Sequence, residues 1–322
     1  MKIAPDPIQS AALRGILIDA VEQATSRPSR ARQRKMRTSF LGALVAAPVA
    51  AAIAITAVAI GPGAASATAA EALRSAADVT ITTSDPLVGP GQYLKVTTEA
   101  AYLAYESDAD GQLSAYLSPS TTEVFIPSQP AQDWVQTVTA APATEFYGDA
   151  SRAAAQRDWA ETVRGGVVRV SRAANGDFAD AEELGGEIAD VPLPSDPEQA
   201  LGFLHERPYG DGTDSGALAY AAQLLRDGTM PAKQRSVLYQ ALALLPGIRI
   251  SDENAVLDGR TGIAFSLDAD ASAREIIVDP TTGLFIGERV LTTTATGAIP
   301  AGIDQEYTAV STTVVDDAPS GD

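Results

Sequence analysis

Glu275–Leu291 reads EIIVDPTTGLFIGERVL, and this stretch decides the fold class. Two runs rich in β-branched and aromatic residues flank Asp279-Pro280-Thr281-Thr282-Gly283. Proline presets the backbone of a turn, and glycine permits positive φ, so the segment predicts an antiparallel hairpin. Gly262–Leu267 supplies a third strand just upstream, and Tyr307–Val315 a further one downstream. In LFIGERVL, alternation puts Leu284, Ile286, Glu288 and Val290 on one face, and Phe285, Gly287, Arg289 and Leu291 on the other. Each face mixes apolar with charged residues, so the pattern leaves open which one is buried.

A second strand-rich region lies far upstream. Gln92–Thr98, Tyr102–Glu106, Leu113–Leu117 and Thr122–Pro127 are short, rich in Tyr, Thr and Val, and separated by turn residues. Short connections suit antiparallel pairing. Between the two sheet regions the pattern turns helical. Ala131–Val138 and Ser151–Thr162 read as helices or helical turns, and Gly165–Val170 as a returning strand. Residues 173–194 read as a loop. Ser195-Asp196-Pro197-Glu198 has the form of a capping box opening a helix to Arg207. Helices follow at about Ser215–Arg226 and from Pro231 to Leu245, and a brief strand at Gly247–Ile250. The expected fold is α+β: a curved antiparallel sheet packed against several helices, preceded by one transmembrane helix.

That last element rests on Ser39–Ile60, SFLGALVAAPVAAAIAITAVAI, 22 residues without a charge. A helix of this length can span the hydrocarbon core of a bilayer. Arg30, Arg32, Arg34, Lys35 and Arg37 stand just before it, and the first charge beyond it is the acid Glu71. This asymmetry places the N-terminus in the cytoplasm and the body outside the cell membrane. AAS, ASA and ATA triplets at 64–69 also fit a cleaved signal, and either option exports residues from about 70 onward. The expected divisions are a basic tail with a short helix (1–38), the span (39–61), a membrane-proximal helix or linker (62–78), an exported sheet-and-helix body (79–315) and a disordered end (316–322). The apolar stripe over residues 7–24 either lies on the membrane or docks in a cytoplasmic partner.

The tail carries net +5 and residues 61–322 carry net −23. So acidic a body repels nucleic acid, which excludes a nucleic-acid partner for it. The chain has no cysteine, which removes disulfides, thiolate metal sites and thiol nucleophiles. His205 is the only histidine, so a zinc site of the HExxH type cannot form. No GxSxG elbow or nucleotide-binding glycine loop occurs. Glu106–Leu113, ESDADGQL, partly matches the start of an EF-hand loop, but the twelfth position is Leu117 where a bidentate Glu is needed. A polar hairpin turn accounts for it. No catalytic residue, cofactor or metal is expected. Tyr93, Tyr102, Tyr105 and Tyr116 fall in the first meander, where they either pack the sheet or line one wall of an apolar groove for a lipid or peptide.

Val88-Gly89-Pro90-Gly91-Gln92-Tyr93-Leu94, Leu245-Pro246-Gly247 and the DPTTG turn resemble the motifs of a family of uncharacterised actinobacterial single-pass membrane proteins. The resemblance covers roughly residues 1–295. It implies a first strand opening at the GPGQY-like segment. It also implies an outer domain similar to lipoprotein carriers and periplasmic sigma regulators. Members are often encoded near extracytoplasmic-function sigma factors, which implies envelope signalling with an envelope or cytoplasmic regulatory partner. The tail lacks the His and Cys ligands of zinc-containing anti-sigma domains. The expected function is non-enzymatic: a membrane-anchored envelope protein whose exported domain binds a hydrophobic ligand, peptide or partner. The alternatives are an exported carboxylate-dependent hydrolase and a purely structural surface domain.

Overall fold

A computed structural model describes residues 62–83, 85–107, 113–178, 193–206, 212–267 and 272–320. The elements, in chain order, are α1 (Pro62–Thr82), β1 (Tyr93–Ser107), β2 (Leu113–Pro127), β3 (Asp133–Ala140), β4 (Glu145–Tyr147), α2 (Ser151–Gly165) and β5 (Val168–Ala174). After them come α3 (Pro197–Glu206), α4 (Asp214–Arg226), α5 (Ala232–Leu242), β6 (Arg249–Leu257), β7 (Arg260–Ser266), β8 (Ser272–Val278), β9 (Phe285–Thr292) and β10 (Asp304–Val315).

All described pairings are antiparallel and belong to one ten-stranded sheet, ordered β5-β3-β2-β1-β10-β9-β8-β7-β6, with β4 paired to β2. The decisive pairing is β1 with β10. It runs from Tyr93 opposite Val315 to Tyr102 opposite Glu306 and joins the two sequence-distant meanders.

One face of the sheet is apolar and covered. Leu94, Val96, Val124, Ile126, Trp134, Val310, Phe285, Ile276, Val278 and Phe265 meet α1, α3, α4 and α5 in a single core. Leu73, Leu204, Leu218, Leu238, Tyr239 and Leu242 are essentially fully buried there. Each such side chain is worth about 1.5–3 kcal/mol of burial. The opposite face is largely polar over β1 and β2, where Lys95 pairs with Glu123 at 2.9 Å and Thr121 donates to Glu99 at 2.7 Å. Smaller apolar clusters cover that face near Ile299 and Ile303, and around Leu257.

The expected architecture is corrected. The α+β class and antiparallel pairing hold, but the sheet is an open ladder and not one curled toward closure: β5 and β6 are its two ends and do not pair. No described helix is long and apolar enough to cross a membrane. Ser39–Ile60, on which the transmembrane helix rested, lies outside the described residues, as do the stretch 7–24 read as a helix and most of the stretch 173–194 read as a loop, whose first two residues belong to β5. The openness follows from the β1–β10 pairing, which adds the two meanders side by side into one wide sheet.

Several elements differ locally from expectation. Tyr93–Ser107 is one strand of 15 residues where two short ones were expected, and so is Leu113–Pro127. Ala131–Val138, expected helical, is largely the strand β3; its Trp, Val and Thr content favours the pleated sheet. The α3 cap is Asp196, not Ser195: its carboxylate accepts the Gln199 amide hydrogen at 3.0 Å. The DPTTG turn forms as expected. Gly283 has φ +66, and a Cβ there would lie 2.5 Å from the Ala76 carbonyl oxygen, so glycine is also what lets α1 approach.

Candidate functional site

The four tyrosines do not share a wall. Cross-strand partners lie on the same face, and the β1–β2 register pairs Ala104 with Tyr116 and Tyr105 with Ala115. Tyr102 and Tyr116 therefore face the helices, while Tyr93 and Tyr105 face the other way. Tyr105 packs with Leu103, Leu117 and Ile299 on that far face. Tyr116 is buried under α2 against Ala154 and Ala155, and its hydroxyl donates to Asp158. Burial and that acidic partner push the hydroxyl well above the usual tyrosine range.

Tyr102 alone is open, with 41% of its surface exposed on the helix-facing side. It sits in a trough between two covered zones. On one side α2 covers Tyr116. On the other, the turn after α4 rests on the sheet, where a Cβ at Gly228 would meet Val96, Val310 and Thr312. The β1–β2 register puts the exposed Ser118 directly opposite Tyr102, and Glu306 of β10 lies opposite on the other side.

The wall of this trough is an ion network. Glu288 of β9 is 1% exposed and accepts hydrogen bonds from Arg226 of α4 and Arg274 of β8. Arg274 also donates to Glu306 at 2.9 Å. Burying Glu288 costs several kcal/mol of hydration, which its two guanidiniums offset only because the pairing is direct. Burial works against the Arg226 charge, but Glu288 holds that guanidinium protonated, aided by Tyr102 and Glu306. The network thus ties α4 to the sheet and presents two arginine edges and one carboxylate beside an exposed tyrosine. The alternation in LFIGERVL, an acid among apolar residues, was the one sequence signal of it. Nothing in the sequence pointed to Arg226 or Arg274.

Other sequence candidates go elsewhere. His205 meets Asp214 at 3.0 Å, which links α3 to the first turn of α4. The EF-hand-like turn lies mostly outside the described residues, and Glu106 at its edge is held by Arg157 at 2.8 Å. Arg30, Arg32, Arg34, Lys35 and Arg37 also lie outside them. Among the described residues, no group of three or more His, Cys, Asp or Glu could hold a metal ion. Open depressions among the described residues include these two. One of about 320 Å³ on the helical layer is lined by Arg74, Asp78, Pro197, Gln240 and Leu244. One of about 220 Å³ lies beside Thr68 and Ile250–Glu253. The second sets the neighbouring carboxylates Asp252 and Glu253 beside the Ser251 and Thr68 hydroxyls, and neither depression is lined by the histidine.

No protein-family model and no curated protein matches the chain. Among solved structures, it is similar to the complex structure of Pseudomonas aeruginosa MucA/MucB, at 13% identity and a TM-score of 0.26. The likeness covers 79% of this chain and 59% of that one, so the chain spans about three-fifths of its length. It is distant and partial, and singles out no actinobacterial family.

Proposed function

We propose that this is a non-enzymatic envelope protein that engages a protein partner through the Tyr102 trough. The observation that carries the reading is the exposed Tyr102, set on an open stretch of sheet beside Arg226 and Arg274. Tyrosine and arginine combine apolar area with directed hydrogen bonds and dominate protein–protein contacts. The apolar face that could have held a lipid is filled by the chain's own helices, which favours a polypeptide over a hydrophobic ligand. The basic tail and the apolar run Ser39–Ile60 support a position on the outer side of the cell membrane. The family resemblance of the motifs supports a role in envelope signalling.

The test is a photo-crosslinker at Ser118 in the full chain, activated in native membranes. The expected result is a discrete crosslinked protein that is lost in Tyr102→Ala. Crosslinking only to lipid, or a protein adduct indifferent to Tyr102→Ala, would refute the reading.

A further inference from the structure

Among the described residues, the strand β5 ends the sheet on one side and pairs only with β3. Its seven residues, VRVSRAA, are almost all exposed. Which of its backbone groups are free follows from the register. The Ala140 amide donates to the Val167 carbonyl at 3.0 Å, so residues 140 and 167 form a hydrogen-bonded pair. Such pairs alternate along an antiparallel ladder. Arg169, Ser171 and Ala173 therefore bond to β3. Val168, Val170, Arg172 and Ala174 turn their N–H and C=O groups outward.

The side chains around this edge are specific. Val168 and Val170 are 55% and 40% exposed and lie on the face away from the helices. Arg169 lies on the helix-facing side, exposed, with no hydrogen bond or ion pair among the described residues. Arg172 donates to the Pro319 carbonyl at 2.7 Å, which leaves its charge unneutralised. From Arg164 to Ala174 there are three arginines and no acid, in a chain of net charge −18; Arg164 pairs back to Glu161 of α2 at 3.6 Å, which leaves Arg169 and Arg172 as the cations of the strand.

We propose that the outer edge of β5 is a docking site for an extended segment of a separate, acidic protein, which adds to the sheet as an eleventh strand. The outward N–H and C=O groups at Val168, Val170 and Arg172 supply the ladder. A carboxylate on alternate residues of the incoming strand meets Arg169, and the intervening apolar residues cover Val168 and Val170. Charge selects this occupant over a second copy of the chain. In full antiparallel overlap, two β5 strands would set Arg172 diagonal to its own copy and Arg169 opposite Ala173, with no acid along the seam, so like charge opposes self-pairing. The site is separate from the Tyr102 trough, with β3 and β2 between them.

The test uses the full chain in detergent and a fluorescein-labelled ten-residue peptide of alternating Glu and Val, with a Lys–Val peptide as the comparison. Binding is read by anisotropy. The Glu–Val peptide is expected to bind, and the Lys–Val peptide not. Val170→Pro removes an outward donor and leaves the β3 ladder intact, and should weaken binding by about tenfold or more. Arg169→Glu, at an exposed position, should weaken it similarly and admit the Lys–Val peptide. It serves as the second variant if Val170→Pro fails to fold. Tyr102→Ala should change nothing, which separates this site from the trough. Equal binding of both peptides, or of both β5 variants and the parent, overturns the proposal. So does a loss of dimer mass in Val170→Pro, which assigns the edge to a second copy. So also does binding that emerges only when residues 179–192 are replaced by a Gly-Ser linker, which assigns it to this chain.

Discussion

Asp85 lies 147 residues before Ala232, and its carboxylate accepts the Ala232 amide hydrogen at 2.9 Å. A residue in the link between α1 and β1 thus caps the N-terminus of α5, whose own preceding residue, Pro231, has no side chain able to do so. The same carboxylate meets Arg235 at 3.1 Å, and the Arg235 Nε reaches the Thr80 hydroxyl at 3.2 Å. Asp85→Ala is expected to cost about 2 kcal/mol, within the range of a lost cap and its charge partner. Asp85→Asn keeps an acceptor and should recover about half. Urea unfolding of the two variants checks the order; equal stability of Asp85→Ala and the parent would show the cap to be idle.

The Glu288 network gives a sharper contrast. Glu288→Gln leaves the largely buried Arg226 charge uncompensated and Arg274 with Glu306 alone, at an expected cost of about 3 kcal/mol. Replacing all three residues with Met should restore much of that stability, because no buried charge then needs a partner. The urea midpoints of the single and triple variants decide it.

Asp227, at the C-terminus of α4, predicts a pH effect. Burial pushes its carboxyl from 3.8 up to about 7, against the pull of Arg226. Between those values the folded chain keeps a proton that the unfolded chain has lost. This contribution to stability therefore falls as pH rises from about 4 to 7 and is flat above that. Asp227→Asn should equal the parent at pH 4 and exceed it at pH 8. Because Asp227 keeps part of its surface in water, the gain should be about 1 kcal/mol, or roughly 2–4 °C in Tm. Thermal melts at the two pH values give the answer, and a gain already complete at pH 4 would contradict it.

Gly283→Ala combines positive φ with a clash against the Ala76 carbonyl and Thr80. An expected loss of about 2–3 kcal/mol follows. Lowered protection of the α1 amides in hydrogen exchange would locate the damage at the turn–helix contact.

What the sequence conveyed was local. Asp279 shows why the turn was legible: it accepts hydrogen bonds from Thr281 and Thr282, all within four residues. Burial acts to raise its pKa, and those bonds outweigh it and hold the carboxyl below its ordinary range. The helices from Pro197 to Leu242 were legible for a similar reason, since their apolar spacing and breakers are local. The β1–β10 pairing was not, because Tyr93 and Val315 meet without any nearby signal. The tyrosines show the same limit. Their clustering in sequence was visible, but the register that splits them between two faces was not. Arg226 and Arg274 lie 48 positions apart and became a site only when α4 came down on β9 and β8.

The β1–β10 pairing also sets a timetable. β1 is the first and β10 the last of the described strands to be synthesised, so the two meanders wait with bare edges until β10 has been made. Such long-range closure is slow to nucleate and leaves the unfinished chain open to aggregation. A truncation before Asp304 would then yield two sticky half-sheets and not a smaller working domain. The folding of this protein should depend heavily on whatever chaperones attend it before the last strand docks.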